Sequence, residues 1–244
     1  MIILWPIAGK GVRFKKHYKE LKPFIKIKGK TLIEYSISSL DIYGSHFVIA
    51  NKLKPKYKEL LFSIADKYKL DMKIIELNTE TKGQAETSLL GLKETGLNGN
   101  EELIIANSDQ FTPWNSRNFV ESTKSKNLSG LVTTYQHQKF KIGDSSPYSH
   151  VKLDSNYCAT EFAEKIAISQ NSLNGIFYWK SADLFDYSAK KLIQSSSNGE
   201  KWISLTFNYL IEDGYKIKTF KMNENEFYSL GTPEDLVNNK EFLR

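Results

Sequence analysis

The residues best suited to chemistry in this chain are cations set beside flexible backbone. The apolar run "IILWPIA" leads into a loop carrying Gly9, Gly11 and Arg13, and Lys22 follows, fixed by Pro23. Glycines let a backbone approach a ligand closely and turn its N–H groups toward an anion, while an arginine adds a forked, permanently charged donor. A loop of this kind, beyond the carboxyl end of a strand, is suited to a triphosphate. A tight turn alone also needs two glycines, so the loop by itself leaves both readings open. The third glycine of the dinucleotide fingerprint is replaced by Phe14, and the Gly-Lys-Ser/Thr of a Walker loop is absent. The other arginines are Arg117 and Arg244, so Arg13 stands out from a surface charged mainly by lysine. Lys22 sits in a lysine-rich stretch and also reads as surface charge.

Further along, Asp109 ends the apolar segment "LIIANSDQF". A carboxylate there can hold a hard cation such as Mg²⁺, or it can cap the turn with Asn107 and Ser108. Glu164 and Lys165 are adjacent in "FAEKIAIS". Neighbours on a strand point to opposite faces, which makes a pairing between them awkward and leaves Lys165 able to meet a phosphate. Gln84 is placed to begin a helix, and Glu86 to complement its first turn. Tyr148 and Trp179 read as core or rim packing. His17, His46, His137 and His150 show no metal-ligand spacing, and Cys158 has neither a disulfide partner nor an activating neighbour.

The elements that must position these groups follow from periodicity. "MIILWPI", "HFVIAN", "MKIIEL", "ELIIAN" and "GLVTTY" read as strands. Helices are expected over "TLIEYSISSL", "PKYKELLFSIADKYKL", residues 84–95 and residues 115–126. This alternation predicts βαβ units and a mainly parallel sheet. "YSHVKLD", "YCATEFAEK" and "NGIFYWK" read as shorter strands forming a partly antiparallel extension. Helices return at 181–195, 203–213 and 233–243, the last opening with Thr232 as N-cap and Pro233 in the first turn. "IQSSSNGEK" is the expected flexible loop.

The order of these blocks resembles the sugar nucleotidyltransferase family of pyrophosphorylase-like enzymes: a glycine loop ending in arginine, then Lys-Pro, then the "GKTLI" turn into a helix. "TKGQAETSLLGL", "LIIANSDQF", "FAEKIAIS", "NGIFYW" and "YSLGTPEDL" continue the likeness in order. The resemblance implies a single domain over residues 1–244. Its fold would be a Rossmann-like three-layer α/β/α (GT-A-like) one, with a mixed, mainly parallel central sheet and a small antiparallel extension. It also implies transfer of a nucleoside monophosphate from a nucleoside triphosphate to a phosphorylated small-molecule acceptor, a sugar 1-phosphate above all, with release of pyrophosphate. Arg13 and Lys22 would be the catalytic cations. Ala8, Gly9, Gly11, Gly83, Gln84 and Asn107 would bind the nucleotide, and Glu164, Lys165, Asn174 and Gly175 the acceptor. Asp109 would hold Mg²⁺, and the pathway would be capsule or surface polysaccharide synthesis.

Two positions depart from the family pattern. Ser229 stands where many relatives carry a second metal-binding aspartate, with Glu226 and Asp235 as candidate substitutes, and Ser149 follows Tyr148 where many carry glycine. These departures keep two alternatives open: a CTP-dependent cytidylyltransferase acting on phosphocholine or a phosphorylated amino acid, and a non-catalytic nucleotide-binding regulatory subunit. A glycosyltransferase would show Asp-x-Asp, and "NSDQ" lacks the first acid. Across 244 residues the net charge of +6 comes from lysines scattered among acids, with no basic stripe for nucleic acid. The first apolar run is too short for a signal peptide or membrane span. A cytoplasmic protein without a membrane partner is expected, and a homo-oligomer stays open.

Overall fold

Strand β1 (Ile2–Pro6) is buried along its whole length, because successive side chains enter two different cores. Ile2 and Leu4 pack with Phe47, Ile49, Ile105 and Trp179, whereas Ile3 and Trp5 pack with Ile37, Val48, Leu61 and Ile104. The computed structural model describes residues 1–136, 139–195 and 199–243. His137 and Arg244 lie outside that set, as does part of "IQSSSNGEK".

Beside β1 run β4 (Ser45–Asn51), β5 (Asp71–Leu77) and β6 (Leu103–Ala106), all parallel to it in the order β6-β1-β4-β5. Strand β11 (Asn171–Trp179) lies antiparallel to β6, and β8 (Gly130–Gln136) pairs antiparallel with β11 and parallel with β12 (Ile217–Lys221). The central row β12-β8-β11-β6-β1-β4-β5 thus runs in one direction apart from β11, a mixed and mostly parallel sheet. Strands β9 (Ser145–Leu153) and β10 (Ala159–Ile166) extend the first half of β11 as an antiparallel ribbon. Two short ladders complete the strands: β2 (Lys26–Ile27) with β3 (Lys30–Thr31), and β7 (Gln110–Phe111) with β13 (Tyr228–Ser229).

Helices α1 (Leu32–Leu40), α2 (Pro55–Tyr68) and α4 (Ser116–Thr123) cover one face through Ile33, Leu61 and Phe119. The other face carries α3 (Gln84–Glu94), α5 (Ala182–Gln194) and α6 (Thr206–Glu212), where Trp179 stacks on Phe207 with ring centroids 4.5 Å apart. Helix α7 (Pro233–Asn239) packs Leu236 against Phe14, Leu32 and Tyr35 in a third, smaller cluster. The result is the expected three-layer α/β/α fold. Thr232 accepts from the Asp235 N–H and Asp235 accepts from the Thr232 N–H, so the expected N-cap becomes a reciprocal capping box.

Three differences from expectation have local causes. The strands of the ribbon, expected to be short, span 9, 8 and 9 residues, because β11 is shared between the ribbon and the main sheet. Strand β12 was not expected at all: its lysines hide the strand pattern, as suits an edge that must not recruit another chain. Helices α4 and α6 end or begin about a turn inside their expected limits, and α7 tightens into a 3₁₀ turn at Lys240–Phe242. No helix among the described residues is long and apolar enough to cross a membrane.

Candidate active site

A cavity of about 1040 Å³ opens where β1 and β6 end, the place where open parallel sheets expose unsatisfied backbone to a ligand. Its wall brings together every residue that the resemblance assigned to the site: Ala8, Gly9, Gly11, Arg13, Lys22, Gly83, Gln84, Asn107, Asp109, Glu164, Lys165, Asn174 and Gly175. These come from segments far apart in the chain.

The loop after β1 coils into successive turns, with the Phe14 N–H donating to Gly11 O (3.0 Å), and buried Phe14 anchors it in the third cluster. Ala8 O accepts from the Asn51 side chain at 3.0 Å. Arg13 is exposed at the cavity and makes no hydrogen bond or ion pair among the described residues, so its guanidinium is available to an incoming anion. Lys22 is engaged instead. Its Nζ donates to Asp109 Oδ2 (2.6 Å) and to Gly231 O (2.9 Å) and lies 5.0 Å from the Phe14 ring centroid. Asp109 therefore turns its side chain to a lysine; the turn after β6 is held by its backbone, whose carbonyl accepts from Leu230 N–H at 2.8 Å.

Gly83 and Gln84 start α3 at the opposite wall. Gly83 has φ +151, and a Cβ there would fall 2.6 Å from the Lys201 backbone nitrogen, so only glycine fits this crossing of two backbones. Gln84 Nε2 donates to Asn107 Oδ1 at 3.2 Å, and Glu86 accepts from the Lys82 N–H at the helix start. The Asn107 N–H donates to Gly175 O at 2.9 Å, and at φ +90 a Cβ on Gly175 would overlap the Asn107 side chain. Asn174 lines the cavity beside it, but its amide is occupied from behind: Oδ1 accepts from the Thr133 hydroxyl and Nδ2 points at Met222 Sδ.

Glu164 and Lys165 both face the cavity although adjacent strand residues should diverge. A bulge resolves this. The β9–β10 register shifts between Glu164 and Ile166, where the single residue Lys165 faces the three residues Ser146, Pro147 and Tyr148 of β9, and Lys165 has φ +61; the interrupted ladder and the positive φ together re-aim the lysine. Lys165 Nζ rests 4.4 Å from the Trp202 ring centroid. Ser149, directly opposite Glu164 on β9, donates to Glu164 Oε2, as does Ser204 at 3.0 Å. Burial pushes the Glu164 carboxyl above its ordinary range, while the two serines and the Lys165 charge pull it back. Burial also raises Glu200, opposed by the charges of Lys165 and Arg13.

Gly199, Glu200, Trp202, Ile203 and Ser204 form a part of the wall that sequence reasoning missed, because the segment carries no motif and overlaps the polar connection "IQSSSNGEK". Tyr148 also lines the cavity, while Trp179 is core. His17 is exposed, and His46 and His150 are buried away from the cavity wall.

Comparison with solved structures gives full-length matches. A nucleoside-diphosphate-sugar pyrophosphorylase from Vibrio cholerae RC9 superposes with a TM-score of 0.85 at 22% identity, covering 99% of this chain and 100% of the other. A putative glucose-1-phosphate thymidylyltransferase from Bacillus anthracis matches with a TM-score of 0.78 at 17% identity, covering 100% and 94%. The inositol-1-phosphate CTP transferase from T. maritima matches with a TM-score of 0.75 at 16% identity, covering 99% and 94%. No curated protein sequence matches the chain. At these identities the likeness speaks for the fold, while the sequence model described as "Nucleotidyl transferase" matches residues 7–244. The chain therefore belongs to the nucleotidyl transferase family and is a nucleotidyltransferase, as its motif order implied.

Proposed function

We propose that this nucleotidyltransferase moves a nucleoside monophosphate from a nucleoside triphosphate to a sugar 1-phosphate, releasing pyrophosphate, in the assembly of capsule or other surface polysaccharide. The observation that carries this reading is the set of cations lining one cavity: Arg13 and Lys22 at the glycine loop, and Lys165 from β10. A triphosphate and a phosphomonoester brought together need such a set of cations to offset their charge. Sugar phosphates are favoured as acceptors because the Vibrio and Bacillus relatives are described as sugar-nucleotide enzymes.

The chemistry is an in-line displacement. An acceptor phosphate oxygen forms a bond to the α-phosphorus as the bond to pyrophosphate breaks, and no proton need be moved by the protein. Catalysis is then positioning and charge stabilisation. The glycine loop supplies backbone N–H donors, Arg13 a forked contact, and Lys22 a cation at the reacting centre. Gly83, Gln84 and Asn107 form a polar edge for the base, and Glu164 and Lys165 hold the acceptor by its hydroxyls and phosphate.

Mg²⁺ fits the donor set as a cation bound mostly through substrate. Among the described residues no cluster of three or more His, Cys, Asp or Glu could hold it alone, but Mg²⁺ commonly uses one or two carboxylates plus phosphates and water. Asp109 is the carboxylate that would hold it. Ser229, at the place of a second acid, donates to Asp235 Oδ2 at 2.9 Å, so a carboxylate still stands behind that serine. When bound, the ion would neutralise charge on the phosphate oxygens.

A second acceptor class, a non-sugar phosphate with CTP as donor, is favoured by one observation: Ser149 occupies part of the hydrogen-bonding capacity of Glu164. A matrix of nucleoside triphosphates against sugar 1-phosphates, phosphocholine and phosphorylated amino acids, followed by phosphorus NMR, tests both. A new pair of mutually coupled diphosphate resonances, from the phosphoanhydride formed, with stoichiometric pyrophosphate is expected for one sugar 1-phosphate; silence across the matrix with nucleotide still bound would favour the regulatory-subunit reading.

A further inference from the structure

Glu164 sits on the cavity wall with its two oxygens in unlike environments. Oε2 accepts from the Ser149 hydroxyl, across the β9–β10 ladder, and from the Ser204 hydroxyl at 3.0 Å, on the segment leading into α6. Oε1 has no partner among the described residues. Ser204 is 1% exposed, so its hydroxyl is committed to this contact, whereas Ser149 is only half buried and lines the cavity itself. We infer that Ser149 and Ser204 are positioning residues: together they occupy one oxygen of Glu164 so that Oε1 alone is presented to the acceptor.

A carboxylate on a strand has free side-chain torsions, and two donors converging on one oxygen from different elements fix both its rotation and its tilt. Hydrogen bonds to an ionised carboxylate also favour the charged form, opposing the burial that would neutralise it. The groups facing Glu164 are Lys165 on its own strand, Glu200 from the neighbouring segment, and the two serines; Glu200 repels the charge and Lys165 attracts it. A carboxylate with both oxygens open could accept from two vicinal hydroxyls at once. Held this way it offers the acceptor only the lone pairs of Oε1, which makes the acceptor's contact with this wall narrower and places Ser149 among the determinants of specificity.

This inference rests on the acceptor reading of that end of the cavity, and the test separates the two. Protein labelled with ¹³C at glutamate carboxyls is titrated without ligand, the Glu164 resonance being assigned by its loss in Glu164→Gln. In Ser149→Ala and in Ser204→Ala the Glu164 midpoint should rise, while Ser149→Thr, which keeps a hydroxyl, should stay near wild type. The acceptor KM of Ser149→Ala should rise about tenfold with the triphosphate KM unmoved, the loss expected for one hydrogen bond to a charged group. An unmoved midpoint in both alanine variants overturns the inference, whatever the kinetics. A raised midpoint accompanied by a changed triphosphate KM and an unchanged acceptor KM leaves the serine clamp in place and overturns the acceptor reading instead. Ser149→Ala removes only a half-buried hydroxyl, so the measurement survives if the buried Ser204→Ala variant does not fold.

Discussion

Lys22 Nζ lies 2.6 Å from Asp109 Oδ2 and joins, through its second bond to Gly231 O, the loop after β1, the end of β6 and the segment leading to α7. The side chains are 22% and 25% exposed, a partly solvated pair at the junction of three segments. A pair so placed contributes modestly to stability and far more to the positioning of charge. Asp109→Ala should lower turnover at least about a hundredfold, roughly 3 kcal/mol of transition-state stabilisation. Its melting temperature should move little. Titration of Mn²⁺ by electron paramagnetic resonance in the presence of triphosphate gives a second readout, and ion affinity equal to wild type would remove Asp109 from the metal site.

Arg13 offers a cleaner separation of activity from folding. Its guanidinium is exposed and makes no hydrogen bond or ion pair among the described residues, so Arg13→Ala breaks neither and loses only a charge acting on Glu200. The expected result is a loss of turnover of at least about a hundredfold with an unchanged melting temperature. Arg13→Lys should recover only part of it, because an ammonium cannot make the forked contact. Near wild-type rates in the alanine variant would mean that the loop holds its anion through backbone alone.

Gly83 should behave in the opposite way. A Cβ there meets Lys201 backbone atoms at 2.5–2.6 Å, and backbone cannot swing aside as a side-chain tip can. Gly83→Ala should cost about 2 kcal/mol or more, lowering the melting temperature by roughly 4–8 °C. The displaced crossing also carries Trp202 and Ser204, so affinity for both substrates should fall. Differential scanning calorimetry with equilibrium binding checks this, and a variant as stable as wild type would contradict the close approach.

The layered fold and the cavity's lining were legible because they depend on local signals. Apolar runs of strand length alternated with amphipathic helices, and glycine, Lys-Pro and the terminal aspartate fell at the ends of strands. What stayed hidden was set by contacts between distant segments. Nothing at Lys165 announces a positive φ, since lysine rarely adopts one, and the bulge exists only because β9 pairs with β10 in that register. The clamp of Ser149 and Ser204 on Glu164 joins residues whose types are ordinary in any loop. Edge strand β12 was concealed by its own lysines, the charge that protects an exposed edge.

His46 supplies a pH dependence that has nothing to do with the cavity. Trp5 Nε1 donates to His46 Nδ1 at 3.1 Å, and burial pushes the imidazole down to about 4 from its ordinary 6.5. Between those values the unfolded chain binds a proton that the native protein refuses. Stability therefore falls as pH drops through the window, by about 3 kcal/mol at its lower end, and this contribution levels off below it. Above pH 6.5 the group contributes no slope. Urea midpoints taken from about pH 7.5 to 4.5 should show a steeper decline for wild type than for His46→Gln, whose carbonyl can still accept from Trp5. Parallel curves would show that the imidazole is protonated in the folded protein.

Lys165 sets backbone strain against function in a single residue. At φ +61 a residue with a Cβ carries about 1 kcal/mol of steric cost that glycine avoids. Its ammonium over the Trp202 ring, 4.4 Å from the centroid, returns about 0.5–1 kcal/mol. Lys165→Ala loses the cation–π contact and keeps the strain; Lys165→Gly loses both. The glycine variant should therefore be the more stable of the two by about 1 kcal/mol, a difference that isolates the bulge from the charge. Kinetically the two should look alike, with an acceptor KM raised about tenfold or more and a triphosphate KM little changed. If the glycine variant kept the wild-type acceptor KM, the lysine would be there for the bulge and the Trp202 contact, and the acceptor phosphate would have to be met by another cation of the wall.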